Sequence, residues 1–204
     1  MVIGSLIVAY LCGSIPTAIW VGRIARGIDI REHGSGNAGA TNAYRVLGWK
    51  LALIVVFVDV LKGFLPTWAV SQWFMPNPPL LQIGVGMAAI SGHVWTIFAG
   101  FRGGKGVGTA AGVLLALYPV AVPICLAVFA CVVWRSGMVS LASMCAVATL
   151  PASLWVLQQF FGYRIQTELW VLAIGIVPFV VFTHRSNIGR ILRGEEHRFG
   201  RSKS

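Results

Sequence analysis

Three stretches of this chain collect the residues that can handle a phosphate. The first runs Glu32-His33-Gly34-Ser35-Gly36-Asn37-Ala38-Gly39-Ala40-Thr41-Asn42 and is followed by Tyr44 and Arg45. Its glycines admit a close backbone approach, and successive amides in such a loop can form an anion-binding nest. Ser35, Asn37, Thr41 and Asn42 add neutral donors, and the Arg45 guanidinium can grip a phosphate with two parallel hydrogen bonds. The second stretch, Arg102-Gly103-Gly104-Lys105-Gly106-Val107-Gly108-Thr109, opens into an apolar run, so glycines, one lysine and a helix N-terminus coincide as a phosphate cradle. A nucleotide-binding P-loop would need Gly at Ala99 and Ser or Thr at Gly106, so nucleotide hydrolysis loses support. In the third, from His184 to Glu196, a continuing helix would carry His184 and Asn187 on one face, with Glu195 and Glu196 available to the local arginines. Plainer readings stand beside each: a flexible loop, a tight positive turn, and a basic tail that meets anionic lipid headgroups.

The elements between these stretches must be membrane helices. The chain is 57% apolar and only 11% charged, with a mean hydropathy of +0.79, and its apolar runs approach the length that crosses a bilayer. They lie at roughly 2–22, 51–74, 80–100, 107–134, 138–161 and 169–183. Backbone polar groups in lipid have no recourse but helix. The first run lacks basic residues ahead of it and reads as a retained helix, not a signal peptide. The fourth is long enough for one tilted span, but Tyr118-Pro119 and Pro123 interrupt it, which suits a hairpin of two short helices. Charge decides between these. With a hairpin, every one of the 16 lysines and arginines falls on one side except Arg164, on the other, and Lys62, within the second span. With a single span the basic residues split almost evenly. The expectation is therefore an all-α integral membrane protein, residues 1–204 in one domain. It has seven transmembrane helices, the N-terminus outside and the C-terminus cytoplasmic. All three polar stretches then share the cytoplasmic face, where they can form one site. Pro76-Asn77-Pro78-Pro79 reads as a tight external turn.

Other candidate chemistry is weaker. Asp59 and Lys62, costly inside a span, sit at i,i+3 and are expected to pair in the bundle interior. His93 reads as a hydrogen-bonded core histidine. Cys12, Cys125, Cys131 and Cys145 lie in apolar runs without metal-site spacing and read as buried, inert thiols. No metal or cofactor is called for. The net charge of +10 sits mostly in loops beside apolar spans, which points to a membrane surface and not to nucleic acid.

Four strings in order carry a family resemblance: Gly13-Ser14-Ile15-Pro16, Gly34 to Asn42, Gly103-Gly104-Lys105-Gly106-Val107, and His184-Arg185-Ser186-Asn187-Ile188 with Arg190. Through them nearly the whole chain resembles the bacterial acyl-phosphate:glycerol-3-phosphate acyltransferases of the PlsY type. Gly108 stands where alanine is the more frequent small residue. The resemblance implies a multi-pass protein of the bacterial cytoplasmic membrane. It implies transfer of a fatty acyl group from acyl phosphate to the 1-hydroxyl of sn-glycerol 3-phosphate, the first acylation of phospholipid synthesis, with lysophosphatidic acid and inorganic phosphate as products. It further implies that Ser35, Arg45, Lys105, His184 and Asn187 hold glycerol 3-phosphate, with Lys105, His184, Asn187 and Ser35 as catalytic candidates. Gly103 to Val107 would cradle the acyl phosphate, and Asn37 and Thr41 would support. No protein partner is implied beyond substrates and membrane lipid. The residues five beyond His33, His93, His184 and His197 are Ala38, Phe98, Gly189 and Ser202, so a His-x4-Asp acyltransferase pair is absent. Direct attack fits better, with a substrate phosphate oxygen taking the hydroxyl proton. The other readings are a membrane transporter of an organic phosphate and a noncatalytic assembly factor.

Overall fold

A computed structural model describes residues 2–73 and 79–199, apart from the side chains of Ser71 and Trp73. The centre of the expected turn, Pro76 to Pro78, and the basic residues Arg201 and Lys203 lie outside the described residues. Those described are all helix and connection, with no strand among them. The chain divides into two compact units, Met1–Leu117 and Tyr118–Ser204.

The first unit contains α1 (Val2–Gly13), α2 (Thr17–Arg26), α3 (Ala40–Leu47), α4 (Trp49–Trp73), α5 (Pro79–Val94) and α6 (Val107–Leu117), with short 3-10 turns at Ile30–Glu32 and Ile97–Ala99. The first apolar run, expected as one helix, is broken at Ser14-Ile15-Pro16. Proline has no amide to continue the ladder and disfavours helix at the residue before it. The carbonyls released by the break are taken up by other elements. The Thr96 hydroxyl donates to that of Ser14, and the Lys62 ammonium to that of Ile15 at 2.8 Å. Small residues let the helix backbones approach closely. A Cβ at Gly63 would land on the carbonyl of Thr109, and one at Gly112 on that of Val60, which seats α6 directly on α4. Ile19 of α2, Ile30 of the turn, Ala43 and Leu47 of α3, and Val55 of α4 share one buried cluster that fastens the first polar stretch to the helices.

The second unit contains α7 (Ala121–Ser136), α8 (Val139–Phe161), α9 (Thr167–Thr183) and α10 (Arg185–Leu192). The fourth apolar run does break at Tyr118-Pro119, where the amides of Ala121 and Val122 turn onto the Tyr118 carbonyl. Pro123 does not contribute to the break. It falls in the first turn of α7, where a missing amide costs no hydrogen bond. The Tyr118 hydroxyl donates to the carbonyl of Leu169. The last helix does not continue straight through His184, the condition under which His184 and Asn187 would share one face; α9 and α10 meet there at a bend of 63°. Of the four cysteines only Cys125 is buried, and Cys131 faces outward from α7, against the expectation of four buried thiols.

Four stretches are long and apolar enough to cross a membrane, Val2–Arg26, Trp49–Val70, Pro79–Ala99 and Val139–Phe161. The bent pair α9 and α10 makes a fifth, and α6 and α7 are shorter apolar helices.

Candidate active site

In the first unit, the 33–39 loop is shaped from beneath by one side chain. Asn42, in the first turn of α3, is 1% exposed. Its Nδ2 donates to the carbonyls of Ile30 and His33, each at 3.0 Å, and its Oδ1 accepts the amide of Ser35 at 2.9 Å. Asn42, grouped in the sequence with the outward donors, is thus turned inward. Gly34 and Gly36 both adopt positive φ, 61° and 72°, which gives the loop its tight course. Ser35, Asn37, Thr41 and Arg45 are half-buried around it. At the edge of the loop Asp29 accepts from the Arg31 amide, from Arg31 Nε and Nη2, and from Arg23 Nη2, at 2.7 to 3.0 Å. The Arg31 guanidinium, helped by Arg23 and opposed by burial, holds the Asp29 carboxyl well below the usual carboxylate range. Arg31 also reaches the 3-10 turn that precedes the second stretch, its Nη1 donating to the Ala99 carbonyl at 3.0 Å.

The second stretch lies against the first. A Cβ on Gly104 would meet both His93 Nε2 and the Ala38 carbonyl, so the two glycine segments converge at Gly104. The amides of Gly103 and Gly104 are already engaged, donating to the carbonyls of Val94 and His93 at 3.1 Å each, where they close the end of α5. What the loop offers an anion therefore begins after Gly104. It consists of Lys105, half-buried, and the start of α6, whose first amides have no acceptor within the helix and carry its positive dipole end.

Beneath this loop lies the expected intramembrane pair. Lys62 Nζ is 2.7 Å from Asp59 Oδ1 with both side chains buried, Thr17 Oγ1 donates to the same oxygen at 3.1 Å, and His93 Nδ1 stands 3.7 Å away. A histidine and an aspartate are thus neighbours in space although no His-x4-Asp occurs in sequence. His93 Nε2 faces the Gly104 backbone, and its neighbour Asp59 is already bound by Lys62 and Thr17, which is the arrangement of a support and not of a general base.

In the second unit, His184 is 2% exposed at the bend. Its Nδ1 lies 2.8 Å from the Val180 carbonyl, which accepts a proton carried on that nitrogen and holds the ring in place. Asn187 is buried, and its Nδ2 donates to Glu196 Oε1 at 2.6 Å. Glu196 also accepts from Ser140 Oγ and Arg190 Nε, both at 2.8 Å. Burial raises the Glu196 carboxyl, but the hydrogen bonds from Asn187, Ser140 and Arg190 outweigh it and leave the group below its ordinary value. The chain reaches this position by turning at Gly194, with φ 71°, and folding back until the Phe199 amide donates to the Gly137 carbonyl at 2.8 Å. Glu195 pairs with Arg193 at 2.8 Å. Sequence reading named Glu196 only as an arginine partner. The oxygen that takes Asn187 also accepts from Ser140, a partner that no local spacing reveals.

The described helices form a membrane-protein assembly that carries a glycine–lysine loop at a helix N-terminus, an arrangement chemically suited to a phosphate. The glycerol-3-phosphate acyltransferase family model matches residues 3–194. A glycerol-3-phosphate acyltransferase of Chlorobium phaeobacteroides (strain BS1) is 42% identical, covering 95% of this chain and 94% of its own. One of Fusobacterium nucleatum is 41% identical, covering 95% and 96%. The crystal structure of PlsY (YgiH), an integral membrane glycerol 3-phosphate acyltransferase, in its glycerol 3-phosphate form, is similar with a TM-score of 0.85 and 38% identity over 98% of this chain and 96% of that one. Its lysophosphatidic acid form gives 0.83 and 37% over 98% and 95%. The chain belongs to the glycerol-3-phosphate acyltransferase family of the PlsY type.

Proposed function

We propose that this chain transfers the acyl group of an acyl phosphate to the 1-hydroxyl of sn-glycerol 3-phosphate. The new ester bond forms as the carbonyl-to-phosphate bond breaks. Lysophosphatidic acid and inorganic phosphate leave, and the hydroxyl proton passes to a phosphate oxygen. The observation that carries this reading is the meeting of two glycine segments at Gly104, beside Lys105 and the N-terminus of α6. Such a place stabilises a departing phosphate by fixed dipoles and one positive charge. In this reading Lys105, Gly106 and Val107 face the acyl phosphate, while Gly103 and Gly104 seat the loop. Ser35, Arg45, Lys105, His184 and Asn187 hold glycerol 3-phosphate, and Asn37 and Thr41 support them.

The acyl phosphate is an activated donor, so positioning supplies much of the acceleration and no cysteine nucleophile is required. The two units act as one acyltransferase with seven spans, the five long stretches joined by α6 and α7, in the bacterial cytoplasmic membrane. The N-terminus lies outside and the polar stretches face the cytoplasm, in line with the one-sided distribution of basic residues.

The test is product formation by detergent-purified protein given glycerol 3-phosphate with either palmitoyl phosphate or palmitoyl-CoA. Lysophosphatidic acid from palmitoyl phosphate alone is the expected result. Product from palmitoyl-CoA alone overturns the donor assignment. No product from either donor, by folded protein that still binds glycerol 3-phosphate, favours transport of an organic phosphate.

A further inference from the structure

We infer that Asn42 is a positioning residue for Ser35, setting the direction of that side chain toward glycerol 3-phosphate without touching the substrate itself; this rests on the assignment of Ser35 made above. Asn42 is 1% exposed, and its carboxamide already serves two carbonyls and one amide. Only one orientation of the amide satisfies all three, because the carbonyls of Ile30 and His33 need donors and the Ser35 amide needs an acceptor. The bond to Ser35 uses its backbone amide and leaves its hydroxyl out. Fixing that amide fixes the plane from which the Ser35 side chain leaves. The loop is built around this latch: a Cβ at Gly34 would collide with Asn42 Oδ1, and the positive φ there is one that side chains rarely adopt. Gly34 and Asn42 are thus two halves of one device, and the side chain that orients Ser35 comes from seven residues further along the chain.

The test is a double-mutant cycle on the full-length purified protein, with initial rates read against glycerol 3-phosphate and palmitoyl phosphate separately. Asn42→Ala is expected to lower kcat/KM for glycerol 3-phosphate by about tenfold to a hundredfold, the scale of a sub-ångström to ångström misplacement. The KM for palmitoyl phosphate should move by less than about threefold. Combined with Ser35→Ala, it should add little to the loss from Ser35→Ala alone. Gly34→Ala keeps every polar group, displaces the latch and strains the positive-φ turn that carries it. It should reproduce the Asn42→Ala split, and it decides the matter if Asn42→Ala does not fold. Multiplying losses in the double variant, equal effects on both substrates, or unchanged kinetics in Gly34→Ala would each overturn the latch while leaving the Ser35 assignment standing. An unchanged Ser35→Ala enzyme would overturn that assignment and the latch with it.

Discussion

The two units secure their polar stretches by different chemistry. In the first, the 33–39 and 102–107 segments are held mainly by neutral groups: the Asn42 carboxamide, backbone amides of Gly103 and Gly104, and the carbonyls at the end of α5. In the second, the segment after His184 is clasped by a single carboxylate, Glu196, which gathers Ser140, Asn187 and Arg190. Neutral hydrogen bonds keep their strength across the physiological pH range, whereas a carboxylate clasp depends on ionisation. Under the proposed function, a loop that receives phosphates gains from a frame whose own charge does not compete with theirs. The tail of α10, rich in arginine, gains from a frame that neutralises part of that charge.

The largest effect that sharpens this contrast is expected at Lys105, the cation that the neutral frame presents. Lys105→Met should lower turnover by about a hundredfold to a thousandfold or more, with an unchanged melting temperature; near-normal rates would remove its role. Next comes Gly104→Ala, where the new Cβ would meet His93 Nε2 and the Ala38 carbonyl. It should cost about tenfold to a hundredfold in kcat/KM by shifting Lys105. Kinetics matching the parent enzyme would show that the two glycine segments have room to spare.

In the second unit, Glu196→Ala should destabilise by about 1–3 kcal/mol, because it strands buried donors of Ser140 and Asn187. Thermal unfolding of the purified protein reads this directly, and an unaltered transition would argue against the clasp. The smallest effect is its pH dependence. A carboxyl whose folded value is depressed adds stability above its ordinary value and loses it as pH falls through the folded value. Stability should therefore hold from neutrality down to the ordinary carboxylate range and fall as the pH drops below it, less steeply in Glu196→Gln. Parallel pH profiles for the two proteins would assign the acid sensitivity elsewhere, with Asp29, depressed by Arg31, the next carboxylate to replace.

Much of this architecture can be read from composition alone. Apolar runs locate α4, α5, α8 and α9, and Tyr118-Pro119 locates the division between α6 and α7, because proline and lipid both leave the backbone few choices. The glycine-rich stretches also stand out, since such strings have no use in a lipid-facing helix. The direction in which a polar side chain turns is less legible. Asn37 and Asn42 look equivalent in the sequence, yet one is half-buried and the other is sealed under the loop by contacts with residues up to twelve positions away. Gly103 and Gly104 look like anion donors until the end of α5 is known to need their amides. Pro16 shows that its helix is interrupted only when weighed against Lys62 and Thr96, the distant groups that make the interruption tolerable.

That interruption bears on how the protein is made. A lysine entering the bilayer within a helix carries an insertion cost of about 3 kcal/mol. Ile15 and Thr17 precede Asp59 and Lys62 in the chain, so the carbonyl and hydroxyl that complete the buried polar cluster are synthesised before the charges they meet. In the folded protein the broken first helix thus supplies the polar partners that make the charges of the second long one tolerable in lipid.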